Sequence, residues 1–240
     1  MPLRRYTTLS PNIRAAGVAG ILAGAALTGE FVFFALSGFA QSTFNDPSTA
    51  LAFLRDHGQY VRAAVLFGAS GIVLTLLFLA GLAAVLRART PTLSVATLLF
   101  GVVGNVGDGL VALTFWLGIP AFVDLASRDQ AAAHGAWGAF AAITSGFQGF
   151  GNLFLGLSLL AAGWAIVTRR PLPLLLGVVG LIAGIAAVAG VLGVATSLAF
   201  VASLALVILF RVWAGIQLVR GVGLQEDHPS EAPASRWTSV

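Results

Sequence analysis

The 240-residue chain has no lysine, no cysteine, a single methionine, two tyrosines and very little charge. Each absence removes a class of chemistry. Without lysine there is no Schiff-base carrier for a retinal-type chromophore or an aldolase-type carbonyl. Without cysteine there are no disulfides, no thiolate nucleophile and no iron–sulfur ligation, and the redox compartment leaves no mark. Charged side chains make up 9% of residues, against about 25% in a soluble domain. A soluble chain of this length needs far more polar surface, so much of its apolar surface must meet lipid.

What stands in place of charge is a set of long uncharged runs. Pro171–Phe210 holds no Asp, Glu, Lys or Arg, and neither do Ala63–Leu86 and Gln130–Thr168. A helix crosses the bilayer core in about 20 apolar residues, so the first of these runs covers two spans back to back. Hydrophobic residues are 58% of the chain and mean hydropathy is +0.94. The chain reads as an all-α, polytopic membrane helical bundle of six transmembrane helices. The spans are expected near 15–39, 62–86, 93–118, 137–167, 172–193 and 197–219. Residues 1–14 read as a cytoplasmic N-terminal segment, 15–220 as one transmembrane domain, and 221–240 as a flexible cytoplasmic tail.

Pro91 following Arg87 and Arg89, and Pro171 and Pro173 following Arg169 and Arg170, signal helix ends. Gly190, Gly193, Thr196 and Ser197 mark a tight hairpin between the last two spans. Ser37-Gly38-Phe39-Ala40 offers small residues where a signal peptide would be cut. The apolar stretch before it is longer than the 7–15 residues of a signal-peptide core, so the first helix is expected to be retained. Spans 1–3 and 4–6 would form an inverted repeat by parity, but the connecting loops do not match and no repeat is assigned.

Arginine sets the orientation. With the N-terminus inside, Arg4, Arg5, Arg14, Arg87, Arg89, Arg169, Arg170, Arg211, Arg220 and Arg236 lie on or near the cytoplasmic side. Arg55, Arg62 and Arg128 lie outside. That bias leads to the expectation that both termini lie in the cytoplasm and the protein in a plasma membrane. A pI near 11 with a net charge of +4 follows from this distribution, and nucleic acid is not an expected partner. Gln41–Tyr60 and Gly118–Ala136 are expected as outer loops carrying His57, His134, Asp46, Asp56, Asp124 and Asp129. Tyr60, Trp116 and Trp137 are expected at the outer interface, Trp164 and Trp213 toward the inner one.

Three ionisable residues fall within spans: Glu30, Asp108 and Arg211, with Asn105, Gln148 and Asn152 as uncharged companions. Such groups are costly in lipid and face a bundle interior or a water-filled cavity. Glu30 lies 16 residues beyond Arg14, Asp108 17 beyond Pro91, and Asn152 17 before Arg169. At helical rise all three stand about 25 Å from the inner boundary. Ser70 and Ser203 fall at the same level. Asn105 and Asp108 share a helix face, as do Gln148 and Asn152. Gly101, Gly104 and Gly107 surround the first pair, and Gly146, Gly149 and Gly151 the second. Small residues let helix backbones approach, so spans 1, 3 and 4 are expected to converge here. Arg211 sits about 12 Å lower at helical rise and is expected to snorkel toward cytoplasmic headgroups, out of reach of a direct salt bridge with Glu30.

Two readings of the polar layer stand. In one, Glu30, Asn105, Asp108, Gln148 and Asn152 line an outward-facing pocket for a proton, a cation or an amphipathic ligand. Two carboxyls close together in a low dielectric cannot both stay ionised, so the pair would share a proton. In the other, the same groups are interhelical hydrogen-bond glue. No catalytic residue, metal ligand or cofactor is expected. The histidines His57, His134 and His228 are single, and none has the spacing of a zinc or haem site. Asn105-x-x-Asp108 is similar to the aspartate motifs of membrane prenyltransferases, but it lacks a second acidic motif, so an intramembrane enzyme ranks last.

Gly151-Asn152-Leu153-Phe154-Leu155-Gly156-Leu157, Gly163-Trp164, Arg169-Arg170, Leu172-Pro173, Leu176-Gly177 and Ala183-Gly184 form a pattern. With Arg14-Ala15-Ala16-Gly17, Glu30 and the closing Trp213 to Arg220-Gly221, it resembles the bacterial six-pass proteins of domain-of-unknown-function family 4386. The resemblance covers roughly residues 13–222 and implies a six-helix inner-membrane fold without an assigned activity. The family pattern often has an acidic residue early in the last helix, where this chain has Arg211 or its neighbour, so no role is carried over there.

The best functional expectation is a small binding or transport protein built around that pocket. The alternative is a non-catalytic scaffold or accessory subunit of a larger membrane complex. Expected partners are membrane lipids, a proton or amphipathic ligand, and, on the scaffold reading, a membrane protein or a second copy of the chain.

Overall fold

A computed structural model describes residues 11–38, 43, 46–193 and 197–221, the side chains of 197–200 excepted. Most of the expected N-terminal segment, nearly all of the tail with His228, and the centre of the last hairpin lie outside the described residues. Within them the chain forms six helices: α1 Pro11–Leu36, α2 Pro47–Arg87, α3 Pro91–Arg128, α4 Gln130–Arg169, α5 Leu174–Val191 and α6 Ser197–Arg220. All six are long and apolar enough to cross a membrane. The described residues contain no strand.

Each helix packs along its neighbours in the chain, and α6 closes on α1, so the six form a ring. The end of the ring holding Pro11, Arg87, Pro91, Arg169, Leu174 and Arg220 is termed the base. Small residues set the spacing around it. A Cβ on Gly17 of α1 would stand 2.7 Å from the Gly215 carbonyl of α6, and one on Gly215 2.5 Å from the Gly17 carbonyl. Gly163 of α4 meets Gly177 of α5 in the same way. With lipid on the outside there is little hydrophobic drive between helices, and such close backbone approach supplies the packing.

Polar atoms reinforce the ring where they reach across it. Ser94 of α3 donates to the Ala83 carbonyl of α2 at 2.7 Å, and Ser158 of α4 donates to the Thr97 carbonyl of α3 at 2.7 Å. Arg89, between α2 and α3, donates to the carbonyls of Arg169 and Arg170 at 3.2 and 3.4 Å. It thereby covers the carboxyl end of α4, where Arg170 turns left-handed before Pro171.

The largest departure from expectation concerns the outer loops, which are helix. α2 begins at Pro47, while α3 and α4 meet at the single residue Asp129. These three helices have 41, 38 and 40 residues, about 60 Å each at helical rise, roughly twice a hydrocarbon core. Asp46 caps α2 by accepting from the Thr49 amide at 2.8 Å and from the Ser48 and Thr49 hydroxyls, with Pro47 at the first helical position. Those donors, the Ser48 hydroxyl first, hold the Asp46 carboxyl down at about 2 from its ordinary 3.8. Asp129 caps α4 through the Ala132 amide at 3.0 Å.

The ring is filled at both ends by separate apolar cores. At the base Phe78, Leu82, Leu86, Ile166, Leu176, Phe210 and Leu218 come together. At the top the extensions of α2, α3 and α4 gather Leu51, Leu54, Val61, Ile119, Ala133, Trp137 and Phe140. Trp137 is buried in this upper core, against its expected place at the lipid interface. Phe122 meets both Trp137 and Phe140 edge-on. Trp116 lies on the rim, beneath the Arg62 guanidinium at 4.6 Å. Between the two cores the ring is hollow.

Candidate ligand cavity

The hollow is a cavity of ≈ 750 Å³ to which all six helices contribute. Glu30, Asn105, Asp108, Gln148 and Asn152 all line it. Its floor is the base core, through Phe78, Leu82 and Phe210. Its roof includes Phe34 and Phe115, which pack beneath the upper core. On the α4 side it reaches the surface: Ser145 and Gln148 line the cavity and are exposed. α5 has 18 residues and ends about 25 Å above its start, below the level of these two side chains.

Spans 1, 3 and 4 do not converge as expected. α3 and α4 touch directly, with a Cβ on Gly107 falling 2.7 Å from Gly151 Cα. α1 packs on α2 and α6 and forms no comparable interface with α3 or α4. Glu30 therefore shares a layer with Asp108 and Asn152 across open space.

Each carboxylate is seated on a glycine of the neighbouring helix. A Cβ on Gly68 of α2 would stand 3.0 Å from Glu30 Cδ, and one on Gly151 of α4 would stand 2.5 Å from Asp108 Oδ1. The missing side chains are the room the carboxylates occupy. Asn105, 3% exposed, donates to the Gly101 carbonyl at 2.7 Å. Thr75 and Thr144 likewise donate to carbonyls of their own helices and turn little polarity into the space.

Arg211 corrects a second expectation. It does not snorkel to the base but is 9% exposed and lines the cavity with the two carboxylates. Helix direction explains this. Side chains lean toward the amino end of their own helix. α6 runs from top to base, so Arg211 leans up into the cavity. α1 and α3 run from base to top, so Glu30 and Asp108 lean down toward it. Arg211 interacts electrostatically with both carboxylates, and Glu30 with Asp108. Yet Arg211 forms no contact ion pair or hydrogen bond with either. The gap expected between Glu30 and Arg211 is present, but it is spanned by cavity instead of packed hydrocarbon.

Ser203, expected in this layer, lines the cavity; Ser70 does not, and instead donates to the Phe67 carbonyl on an exposed face. Sequence reasoning missed Thr75, Thr144 and Ser145. Thr144 and Ser145 stand one turn above Gln148, which it singled out, whereas Thr75 lies one turn below Gly71, which it did not.

A family profile described as "Domain of unknown function (DUF4386)" matches residues 22–221. The chain belongs to this family. No curated protein and no solved structure matches it.

Proposed function

We propose that this family member is a small binding or transport protein whose cavity takes a polar or amphipathic molecule from the membrane or from its outer face. The observation that carries the reading is the cavity itself. An arginine and two carboxylates line one cavity inside a membrane protein without closing into a contact ion pair. Buried charge is expensive unless paired and hydrogen-bonded, and such groups in membrane proteins mark substrate and ion paths. Interhelical glue accounts for it less well, because among the described residues Glu30, Asp108 and Arg211 hydrogen-bond to no neighbouring helix. A volume of ≈ 750 Å³ falls in the ordinary range for small-molecule sites.

Arginine distribution supports a bacterial inner membrane with the base in the cytoplasm. Arg14, Arg87, Arg89, Arg169, Arg170 and Arg220 stand at or near the base; Arg55, Arg62 and Arg128 stand toward the top. Arg211 leaves that count, and the bias survives it. The cavity mouth then faces the outer half of the bilayer. Because the chain has no cysteine, single substitutions report orientation cleanly. Ser127→Cys should react with an impermeant maleimide on intact cells and Ala88→Cys only after lysis; the reverse pattern would invert the assignment.

The functional test compares the wild type with the double variant Glu30→Gln/Asp108→Asn, purified in mild detergent. Small molecules carried through purification are identified by mass spectrometry, and proton or cation flux is followed in proteoliposomes. The double variant should fold, express equally, and lose the co-purifying molecule or the flux. Equal molecule content and equal flux in the two proteins would remove the reading.

A further inference from the structure

We infer that the cavity is built for a zwitterion, with its ammonium end between Glu30 and Asp108 and its acidic end against Arg211. This rests on the binding reading above and narrows its ligand class. The carboxylates sit on α1 and α3, seated over Gly68 and Gly151, about 25 Å above the base by helical rise. Arg211 enters from α6, nine residues above Arg220, about 14 Å above the base on the same measure. Opposite charges thus lean toward each other from two levels of one cavity and stop short of contact. Among the described residues Arg211 has no hydrogen-bond or ion-pair partner, and it lines the cavity; a charge held there inside a membrane protein is costly unless something fills the gap.

A simple cation satisfies the carboxylates but leaves Arg211 facing like charge. A simple anion satisfies Arg211 but meets two carboxylates. A molecule carrying both signs completes every group at once, by charge-assisted bonds at each end. By residue count from the helix ends at the base, Leu82 lies lowest on the walls, Phe78, Phe210 and Arg211 share a level, and Glu30 and Asp108 stand highest. A phosphoethanolamine lipid headgroup has the same two-level order, with the acidic phosphate toward Arg211 and the ammonium toward Glu30 and Asp108. A free zwitterion of similar length presents the same two ends without the tail.

The experiment is native mass spectrometry of the full chain in detergent, with four probes. They are lysophosphatidylethanolamine, lysophosphatidylglycerol and tetradecylamine of matched chain length, and free phosphoethanolamine. The wild type should retain the ethanolamine lysolipid about tenfold or more over the anionic and cationic amphiphiles. Arg211→Gln should raise tetradecylamine to parity or above, and Arg211→Lys should keep the wild-type order. Glu30→Gln/Asp108→Asn should shift preference to the glycerol lysolipid. Retention of phosphoethanolamine as firmly as its lysolipid assigns the site to a free zwitterion; retention of the lysolipid alone assigns it to a lipid headgroup. Tetradecylamine held as well as the ethanolamine lysolipid by the wild type, or an unchanged ratio in Arg211→Gln, overturns the inference and leaves the binding reading standing. Should Arg211→Gln fail to fold, the wild-type and Arg211→Lys ratios decide. Retention of no probe removes both.

Discussion

At the scale of single residues, the cavity is made by what glycine leaves out as much as by what the polar groups supply. Gly151 is the sharpest case. Its added Cβ would stand 2.5 Å from Asp108 Oδ1 and 3.1 Å from both the Asp108 amide and the Gly104 carbonyl, so the carboxylate must leave its seat and two backbones must give way together. Gly151→Ala should cost about 1–3 kcal/mol, as overpacking does elsewhere. Gly146, five residues earlier on the same helix, has nothing within 4 Å of a Cβ. Gly146→Ala should be neutral or gain about 0.5–1 kcal/mol. Apparent melting temperatures of the two variants in detergent check the contrast, and equal shifts would show that the α3–α4 crossing is looser than described. The five cavity residues were legible from sequence because depth can be counted along a helix from its arginine anchors. Arg211 was not, because that count locates the backbone and ignores side-chain lean. Helix parity carried the missing information: an even-numbered helix tilts its side chains toward the end away from the base.

At the scale of elements, the three long helices show where composition misleads. The stretches 41–60 and 118–136 carry Asp, His and Pro and read as loops, yet Asp46 and Asp129 serve helix ends, Arg55, Asp56, Asp124 and Arg128 are exposed, and His57 and His134 each bury a ring nitrogen. Asp46 followed by Pro47 is a capping arrangement, and Asp129 both ends α3 and starts α4. Pro120 lies inside α3, in a chain segment held from the side by the upper core. The cap at Asp46 makes a prediction about pH. Its carboxyl is held near 2 in the fold, against an ordinary 3.8. A carboxyl lowered by folding contributes its stability above the unfolded value and loses it as pH falls through the folded one. The difference in melting temperature between wild type and Asp46→Ala should therefore be constant from pH 5 to neutrality and shrink between about 4 and 2. A difference that persists undiminished to pH 2 would mean that the hydroxyl and amide bonds at Asp46 do not carry the cap.

At the scale of the whole molecule, the six helices form a wall with one packed core at the base, another at the top, and polar space between. The six-helix plan was readable from uncharged runs and proline-marked ends, since lipid demands long apolar helices whatever else the protein does. The hollow was legible only as one of two readings, pocket or interhelical glue, because the position of polar residues along a helix marks which turn inward but not whether they meet. Large apolar side chains such as Leu175, Ile182, Ile185 and Val201 are 50–61% exposed on the outside of α5 and α6, as expected for a surface covered by lipid. An experimental structure in a lipid nanodisc, resolved to side chains, tests the central claim most directly. The account predicts that the space between Glu30, Asp108 and Arg211 stays open and holds ordered non-protein density touching the guanidinium. Arg211 closed directly onto a carboxylate, with hydrocarbon side chains filling the rest of the ring, would contradict it.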